Sequence, residues 1–124
     1  LPDTGYFYAE IHICEFNDGA SKNDALGFLE GFNNAVNEGG YEETSYHYGN
    51  YFQQGNDDGF LWGNFTNSKE SMDKANVAFE ANVRDKMFPI FSEFATCGEV
   101  PDLYNGFTLY WSADKDFMPT FPSS

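Results

Sequence analysis

The order of two kinds of hydrophobic spacing is the feature that most restricts how this chain can fold. Four segments are rich in aromatic residues, and the first alternates its side chains with a period of two, as a β-strand does. Two other segments repeat apolar residues at intervals of three and four, which is typical of an amphipathic helix. The predicted strands are Tyr6–Phe16, Thr44–Gln53, Phe60–Thr66 and Phe107–Ser112. Because one helical segment follows the first strand and the other follows the third, the order is βαββαβ.

Capping residues and glycines delimit the two predicted helices. They run from a cap at Ser21 to Gly39-Gly40, and from a cap at Asn67 or Ser68 to Cys97-Gly98. Pro89 lies inside the second helical pattern. Proline lacks a backbone donor and crowds the preceding turn, so we expect a kink or break near Met87.

The order of these elements predicts the architecture. With right-handed crossovers, βαββαβ produces a four-stranded antiparallel sheet with both helices on one face, the ferredoxin-like layout of the α+β class. A chain of 124 residues has room for one domain, 1–124. We expect a core at about 6–112 and a C-terminal arm at 113–124, where prolines occur without a helical period.

One face of such a sheet carries no helix, and the composition of the strands predicts what covers it. In the first strand, the more apolar set of side chains is expected to face the helices. The two sets are Phe7, Ala9, Ile11 and Ile13 toward the helices, and Tyr6, Tyr8, Glu10, His12, Cys14 and Phe16 on the open side. In the other strands, both faces are aromatic whichever set of alternate residues faces the helices. Soluble monomers rarely expose such a patch, so we expect it to pack on a second copy through a two-fold axis.

The charge of the chain excludes two classes of partner. Twenty acidic residues against six basic ones give a formal net charge of −14. A surface of this sign repels nucleic-acid phosphates and anionic lipid. No apolar run is long enough to cross a bilayer. We therefore expect neither a nucleic-acid nor a membrane partner.

These features together resemble a known family. The element order, the Ser68-Lys69 start of the second helix and Phe88-Pro89 near its end resemble the dimeric α+β barrel superfamily, over about Tyr6 to Ser112. In outline the chain is similar to the stress-responsive A/B barrel branch and to the antibiotic-biosynthesis monooxygenase branch. The resemblance implies a homodimer whose two sheets form a barrel and, as in many members, a small-molecule pocket between sheet and helices. Family activities include cofactor-free oxygenation, decarboxylation, cyclisation of polyketide-like substrates and haem chemistry, while some members are structural.

His12 and Glu10 are the candidate catalytic residues. They lie two positions apart on one face of the first strand, where a carboxylate can raise the pKa of an imidazole and orient one tautomer for general-base work. Tyr8 and Tyr110 can donate to a developing enolate or phenolate oxygen. The competing interpretation makes His12 and Glu10 a polar pair inside a barrel interface, because a fold does not imply an activity. His47, in a tyrosine-rich strand, is more simply a stacking or surface residue.

The candidate ligand-binding residues are aromatic, since aromatic walls with a few polar groups are typical of small-molecule pockets. They are Tyr8, Tyr46, Tyr48, Trp62 and Tyr110. Two widely separated histidines without a CxxC motif do not make a metal signature, and no nucleotide-binding motif is present, so we expect no metal and no cofactor. Two functions stay open: a cofactor-independent enzyme for an apolar or aromatic polyketide-like substrate, and a non-catalytic structural or ligand-binding barrel.

The two cysteines are expected at the same end of the domain, where the first strand and the second helix both end. A bond between Cys14 and Cys97 would close a loop of more than eighty residues. Strict alternation, however, places Cys14 on the face away from the helices. The sequence therefore leaves the disulfide open, and it slightly favours free thiols in the cytoplasm over an oxidising compartment.

Overall fold

The computed structural model describes residues 5–109 and 119–122 of the chain. Its strands are β1 (Tyr6–Phe16), β2 (His47–Tyr51), β3 (Gly59–Thr66), β4 (Ala95–Cys97) and β5 (Asp102–Phe107). Its helices are α1 (Lys22–Asn37), α2 (Lys69–Ala78) and α3 (Arg84–Ser92), with a π-helical segment at Phe79–Val83 between α2 and α3. The predicted helix starts are confirmed: the Ser21 N–H donates to the Asp24 carboxylate at 2.9 Å, and Ser68 Oγ accepts from the Ser71 N–H at 3.0 Å.

The described strands form one antiparallel sheet in the order β2-β3-β1, with β4 and β5 together on the far edge of β1. β5 pairs with Tyr6 to Ile11, and β4 pairs with Cys14 to Phe16. The helices pack on one face of the sheet through an aromatic core. The fold is α+β and ferredoxin-like, as the order of the elements predicted, with the fourth strand divided into two pieces.

The end of the second helix and the last strand differ from the prediction. The helix ends at Ser92 and not at Cys97-Gly98, because Ala95–Cys97 pairs with β1 as β4. The residues that pair with β1 are Asp102–Phe107 and not Phe107–Ser112, while Thr108 and Leu109 lie outside any strand and 110–112 fall outside the described residues. Asp, Asn and Gly in β5 are poor strand formers, so local propensity argued against this segment. The free edge of β1 overrides that preference, because an unpaired strand edge is a template for pairing. Farther along, the Phe121 ring lies 4.8 Å from that of Phe107.

The expected interruption of the second helix lies elsewhere than predicted. The helix runs through Pro89 to Ser92 without a break near Met87. Pro89 removes one backbone donor, the partner of the Asp85 carbonyl, and that loss alone does not end the helix. The irregular turn is the π-helical segment one to two turns earlier, where the Arg84 N–H bonds to the Phe79 carbonyl.

The core lies on the opposite side of β1 from the one predicted. Directly paired residues of antiparallel strands project to the same face, and Cys14 pairs with Phe60 and His12 with Trp62. The Trp62 ring contacts aromatic rings of α1 and α3, so the even-numbered residues of β1 and β3 face the helices. The set Phe7, Ala9, Ile11 and Ile13 therefore lies on the open face. Hydrophobicity could not decide the phase, because both sets contain large apolar residues.

The same correction explains the disulfide. Cys14 and Cys97 are directly opposite each other in the β1–β4 pair and are bonded, with an S–S distance of 1.99 Å and a sequence separation of 83. Strict alternation of side chains along β1 had predicted that Cys14 faces away from the helices. Its side chain is in fact 2% exposed in the core, on the same side as Cys97.

Candidate functional site

Six residues predicted for catalysis or ligand binding lie on the helix-facing side of the sheet. They are Tyr8, Glu10, His12, Tyr46, Tyr48 and Trp62, and together with Asn64 we call them the helix-side cluster. Tyr110 lies outside the described residues. The sequence pattern placed this set of β1 residues on the open face, so the structure keeps these residues together but gives them the helices as neighbours.

The pairing register arranges the cluster in two rows across three strands. Glu10, Asn64 and Tyr48 form one row, because Asn64 of β3 pairs with both others. His12, Trp62 and Asn50 form the next row in the same way. Neither amide atom of Asn50 finds a hydrogen-bond partner in the described part of the chain, although both are buried. Each row therefore combines one amide with aromatic or ionisable side chains.

Asn64 is the hydrogen-bonding centre of the cluster, and the sequence reasoning missed it. Its Oδ1 accepts from the Tyr46 hydroxyl at 2.6 Å and from Trp62 Nε1 at 2.9 Å. Burial raises the pKa of Tyr46 well above its ordinary value, with nearby Tyr41 and Tyr48 adding to the effect, so this hydroxyl stays a neutral donor. The sequence did contain a signal: Asn64 lies at a strand position that faces the core, and a buried polar atom needs a hydrogen-bond partner.

Tyr48 connects the sheet to the first helix. Its ring stacks on Trp62 with centroids 5.3 Å apart and planes at 6°, and its hydroxyl donates to Asn33 Oδ1 of α1. Burial raises the pKa of Tyr48 as well. Since Tyr46 and Tyr48 already have acceptors, their hydroxyls are committed to holding the fold together.

His12 and Glu10 interact electrostatically, but this interaction does not decide the pKa of His12. Burial lowers the pKa of His12, and this effect outweighs the opposite effect of the Glu10 carboxylate. The Glu10 oxygens accept instead from Asn76 Nδ2 of α2, at 3.3 and 3.4 Å. Among the described residues, no hydrogen bond joins the His12 imidazole to Glu10. Glu10 therefore acts on the pKa of His12 in the expected direction, but burial has the larger effect and the imidazole is neutral at pH 7.

The open face has a different character. Its exposed large apolar side chains are Ile13, Tyr51, Leu61 and Tyr104. The paired glycines Gly49 and Gly63 lie at its centre, and a Cβ on Gly63 would be 2.7 Å from the Phe65 ring. The Tyr51 and Phe65 rings therefore lie over the glycines, with their planes at 85° to each other. The open-face positions of β1 and β3 from Phe7 to Ile13 and from Leu61 to Phe65 carry no charged residue.

A cleft of about 540 Å³ opens at the end of the sheet where β1 and β2 begin and β3 ends. Its walls come from both sides of the sheet, and its aromatic side chains are Tyr6, Phe7, His47, Tyr48, Tyr51 and Phe65. Polar groups of Ser45, Asn67 and Thr108 are interspersed. Neither His12 nor Glu10 lines this cleft, so the candidate catalytic pair and the cleft are separate places on the sheet.

The described residues contain neither a metal-binding group nor a membrane-spanning helix. Within 5–109 and 119–122, no group of three or more His, Cys, Asp or Glu side chains is arranged to hold a metal ion. Over the same residues, no helix combines the length and apolar character needed to cross a membrane.

Comparison with known proteins places the fold and nothing finer. No protein-family model matches the chain, and no curated protein does. A crystal structure of a conserved protein from Methanosarcina mazei Go1 matches with a TM-score of 0.50 and 12% identity, over 86% of this chain and 96% of that one. A dimeric protein of unknown function and ferredoxin-like fold from Bacteroides fragilis NCTC 9343 matches with a TM-score of 0.45 and 10% identity, over 84% and 97%. At such identities the first likeness bears on the fold alone.

Proposed function

We propose that the protein is a homodimeric α+β barrel protein that binds a small, largely apolar or aromatic molecule. The observation that carries the proposal is the open face of the sheet. Ile13 is 58% exposed, Tyr104 55% and Leu61 39%, on a face that no helix within residues 5–109 and 119–122 covers. Contiguous exposed apolar surface of this kind marks an interaction site in a soluble protein.

A second copy is the occupant that fits this face. In a chain of net charge −14, two copies repel each other wherever carboxylates meet. β1 and β3 avoid this cost at their uncharged open-face positions, where they present apolar residues and glycine, while Asp102 of β5, paired with Ile11, places a carboxylate beside them. The rings of Tyr51 and Phe65 lie over Gly49 and Gly63 and contact each other edge to face, which adds aromatic surface for a facing sheet. Self-association through one patch is an isologous, two-fold contact.

Sedimentation velocity of paired variants tests the assembly. Ile13→Asp adds a charge to the open face and is expected to leave a monomer at micromolar concentration. The matched control is Leu26→Asp on α1, where the leucine is similarly exposed at 53% but faces away from the sheet. This control is expected to remain dimeric. A monomeric unmodified protein, or a dimer broken equally by both variants, contradicts the proposal.

The ligand class is argued from the cleft at the end of the sheet. Its volume of about 540 Å³ falls in the range of about 300–1,000 Å³ typical of small-molecule sites. Its walls are mostly aromatic, with a few polar groups among them. A thermal-shift screen of phenolic and polyketide-like compounds is expected to contain stabilising ligands, because a ligand that binds only the folded state raises its stability. A screen without any hit among aromatic compounds would argue for a purely structural barrel.

The catalytic alternative assigns His12 as a general base with Glu10 as its partner. What supports it is the half-buried, neutral imidazole, since a base must be unprotonated at working pH. Turnover of a hit from the screen, followed by mass spectrometry, is expected to vanish in His12→Ala while the melting temperature changes little. Turnover that survives this substitution removes His12 from catalysis and leaves a binding protein.

The disulfide bears on the compartment. A Cys14–Cys97 bond that is part of the folded core supports residence in an oxidising compartment, because cytosolic proteins keep thiols reduced. Thiol titration of the unfolded, unreduced protein purified from its source is expected to find no reactive thiol. Two reactive thiols would favour the cytoplasm as the compartment of the protein.

A further inference from the structure

We infer that the cleft at the end of the sheet binds a planar aromatic molecule carrying a hydroxyl group, that Nε2 of His47 accepts the hydrogen bond from that hydroxyl, and that dimerisation closes the cleft. The inference rests on the proposed dimer and ligand class. It adds the position of the site, the atom that anchors the ligand, and the coupling between ligand binding and dimerisation. The sequence pattern assigned His47 only a stacking or surface role.

The tautomer of His47 follows from one contact. Its Nδ1 lies 3.0 Å from the carbonyl oxygen of Ser45. A carbonyl oxygen can only accept, so Nδ1 carries the hydrogen, and in the neutral ring Nε2 then presents a lone pair. Among the described residues Nε2 has no hydrogen-bond partner. The side chain therefore offers the cleft one acceptor of defined position.

The orientation of the ring is held from two sides. The imidazole stacks on Phe65, with centroids 5.3 Å apart and planes at 17°. Ser45, whose carbonyl receives Nδ1–H, has a positive φ of 58° that is uncommon for a residue with a side chain. Its hydroxyl oxygen accepts the Asn67 N–H at 2.9 Å, which anchors this conformation between β2 and β3. Sparsely populated backbone geometry of this kind is found at functional sites, where surrounding contacts enforce it.

The walls of the cleft fit a flat, aromatic ligand better than a flexible or charged one. Tyr6 and Tyr48 come from the helix side of the sheet, and Phe7 and Tyr51 from the open side. Aromatic rings pair by offset stacking or edge contacts, which favours a planar partner. A chain of net charge −14 disfavours an anion, so an uncharged hydroxyl is the polar group best matched to a neutral imidazole.

The mouth of the cleft lies on the proposed dimer surface. Phe7, Tyr51, Phe65 and His47 project to the open face as well as lining the cleft. A facing sheet would cover these side chains and exclude water from the ligand. Binding and dimerisation then stabilise each other, because a ligand that prefers one state shifts the population toward it.

The test compares 2-naphthol with 2-methoxynaphthalene, which has the same ring system without a hydroxyl donor. The unmodified protein is expected to bind 2-naphthol about 5- to 10-fold more tightly, the value of one added hydrogen bond. His47→Phe should keep the affinity for 2-methoxynaphthalene and abolish the preference. His47→Gln, which retains an acceptor, should restore at least part of it. Isothermal titration measures all three.

Two controls separate failure of this inference from failure of the proposed function. Leu26→Asp on α1 is expected to leave both affinities unchanged, and Ile13→Asp is expected to weaken the binding of both compounds in parallel with loss of the dimer. If His12→Asn removes binding and His47→Phe does not, the ligand lies on the helix side: the proposed function stands and this inference is overturned. A preference that survives in His47→Phe, or a monomer with full affinity, also overturns it. Binding of neither compound to the unmodified dimer overturns the inference as well.

Discussion

Ile13 and Cys14 are neighbours in β1, and they end in opposite environments. Ile13 is 58% exposed on the open face, whereas Cys14 is 2% exposed and bonded to Cys97. In β3, Leu61 and Trp62 repeat this contrast at 39% and 7%. Both sides of the sheet are apolar, so what distinguishes them is the presence of a partner. α1 and α3 cover the helix side. The open side has the apolar composition of a buried surface, but no helix of the described residues covers it.

Loss of the disulfide is expected to have the largest effect. Cys14→Ala with Cys97→Ala should lower the free energy of unfolding by about 4–5 kcal/mol, because the bond closes a loop across a sequence separation of 83. Urea denaturation of the double variant against the oxidised protein measures the loss. The reduced protein is the control and should lose a similar amount. A loss of less than about 1 kcal/mol would mean that the helix side is held by packing alone.

Truncation of adjacent residues on the two sides sharpens the comparison. Trp62→Ala should lower the free energy of unfolding by about 3–5 kcal/mol at any protein concentration, since it empties the core beneath α1 and α3. Leu61→Ala should cost less than about 1 kcal/mol in dilute protein, where the proposed dimer is dissociated. Its cost should increase with protein concentration. A concentration-independent cost for Leu61→Ala would remove the evidence for a cover on the open face.

A glycine substitution tests how closely a second copy can approach the open face. Gly63→Ala places a Cβ 2.7 Å from the Phe65 ring and 3.1 Å from Ile11 Cδ1, so the ring must tilt away from the sheet. The dimer dissociation constant is expected to increase about 10-fold, equivalent to about 1.4 kcal/mol. Gly27→Ala in α1, where a Cβ meets nothing within 4 Å, is the control and should leave the dimer intact. Sedimentation equilibrium distinguishes the two variants.

The smallest expected effect concerns pH. Burial lowers the pKa of His12 below its ordinary value of 6.5, so the unfolded chain binds a proton that the folded chain resists. The contribution of His12 to stability is therefore present above pH 6.5 and is lost as pH falls from there toward the lowered pKa. His12→Asn should flatten the dependence of the unfolding free energy on pH in this window. Exposed His47→Asn is the control, and equal slopes in the two variants would contradict the assignment.

Individual residues show how far local patterns can predict this structure. Ser21 and Ser68 were identified as helix caps because a cap depends on a few neighbouring residues. Asn64 was not identified as the centre of the cluster, because the Tyr46 hydroxyl, 18 residues away in sequence, reaches it only after the chain folds. The Trp62 contact, in contrast, lies within β3. His47 was expected to stack or to lie at the surface, and it is exposed and stacks on Phe65 of the neighbouring strand.

The sequence by itself determined the elements and their order, since periods of two and of three to four are properties of short segments. From that order and the handedness of crossovers came the antiparallel sheet with helices on one face. Only the tertiary structure decided which side of β1 meets the helices, and with it the Cys14–Cys97 bond and the neighbours of His12. The physical reason is that shifting a strand by one residue exchanges its two faces at little cost when both are apolar, so the choice depends on how whole surfaces pack.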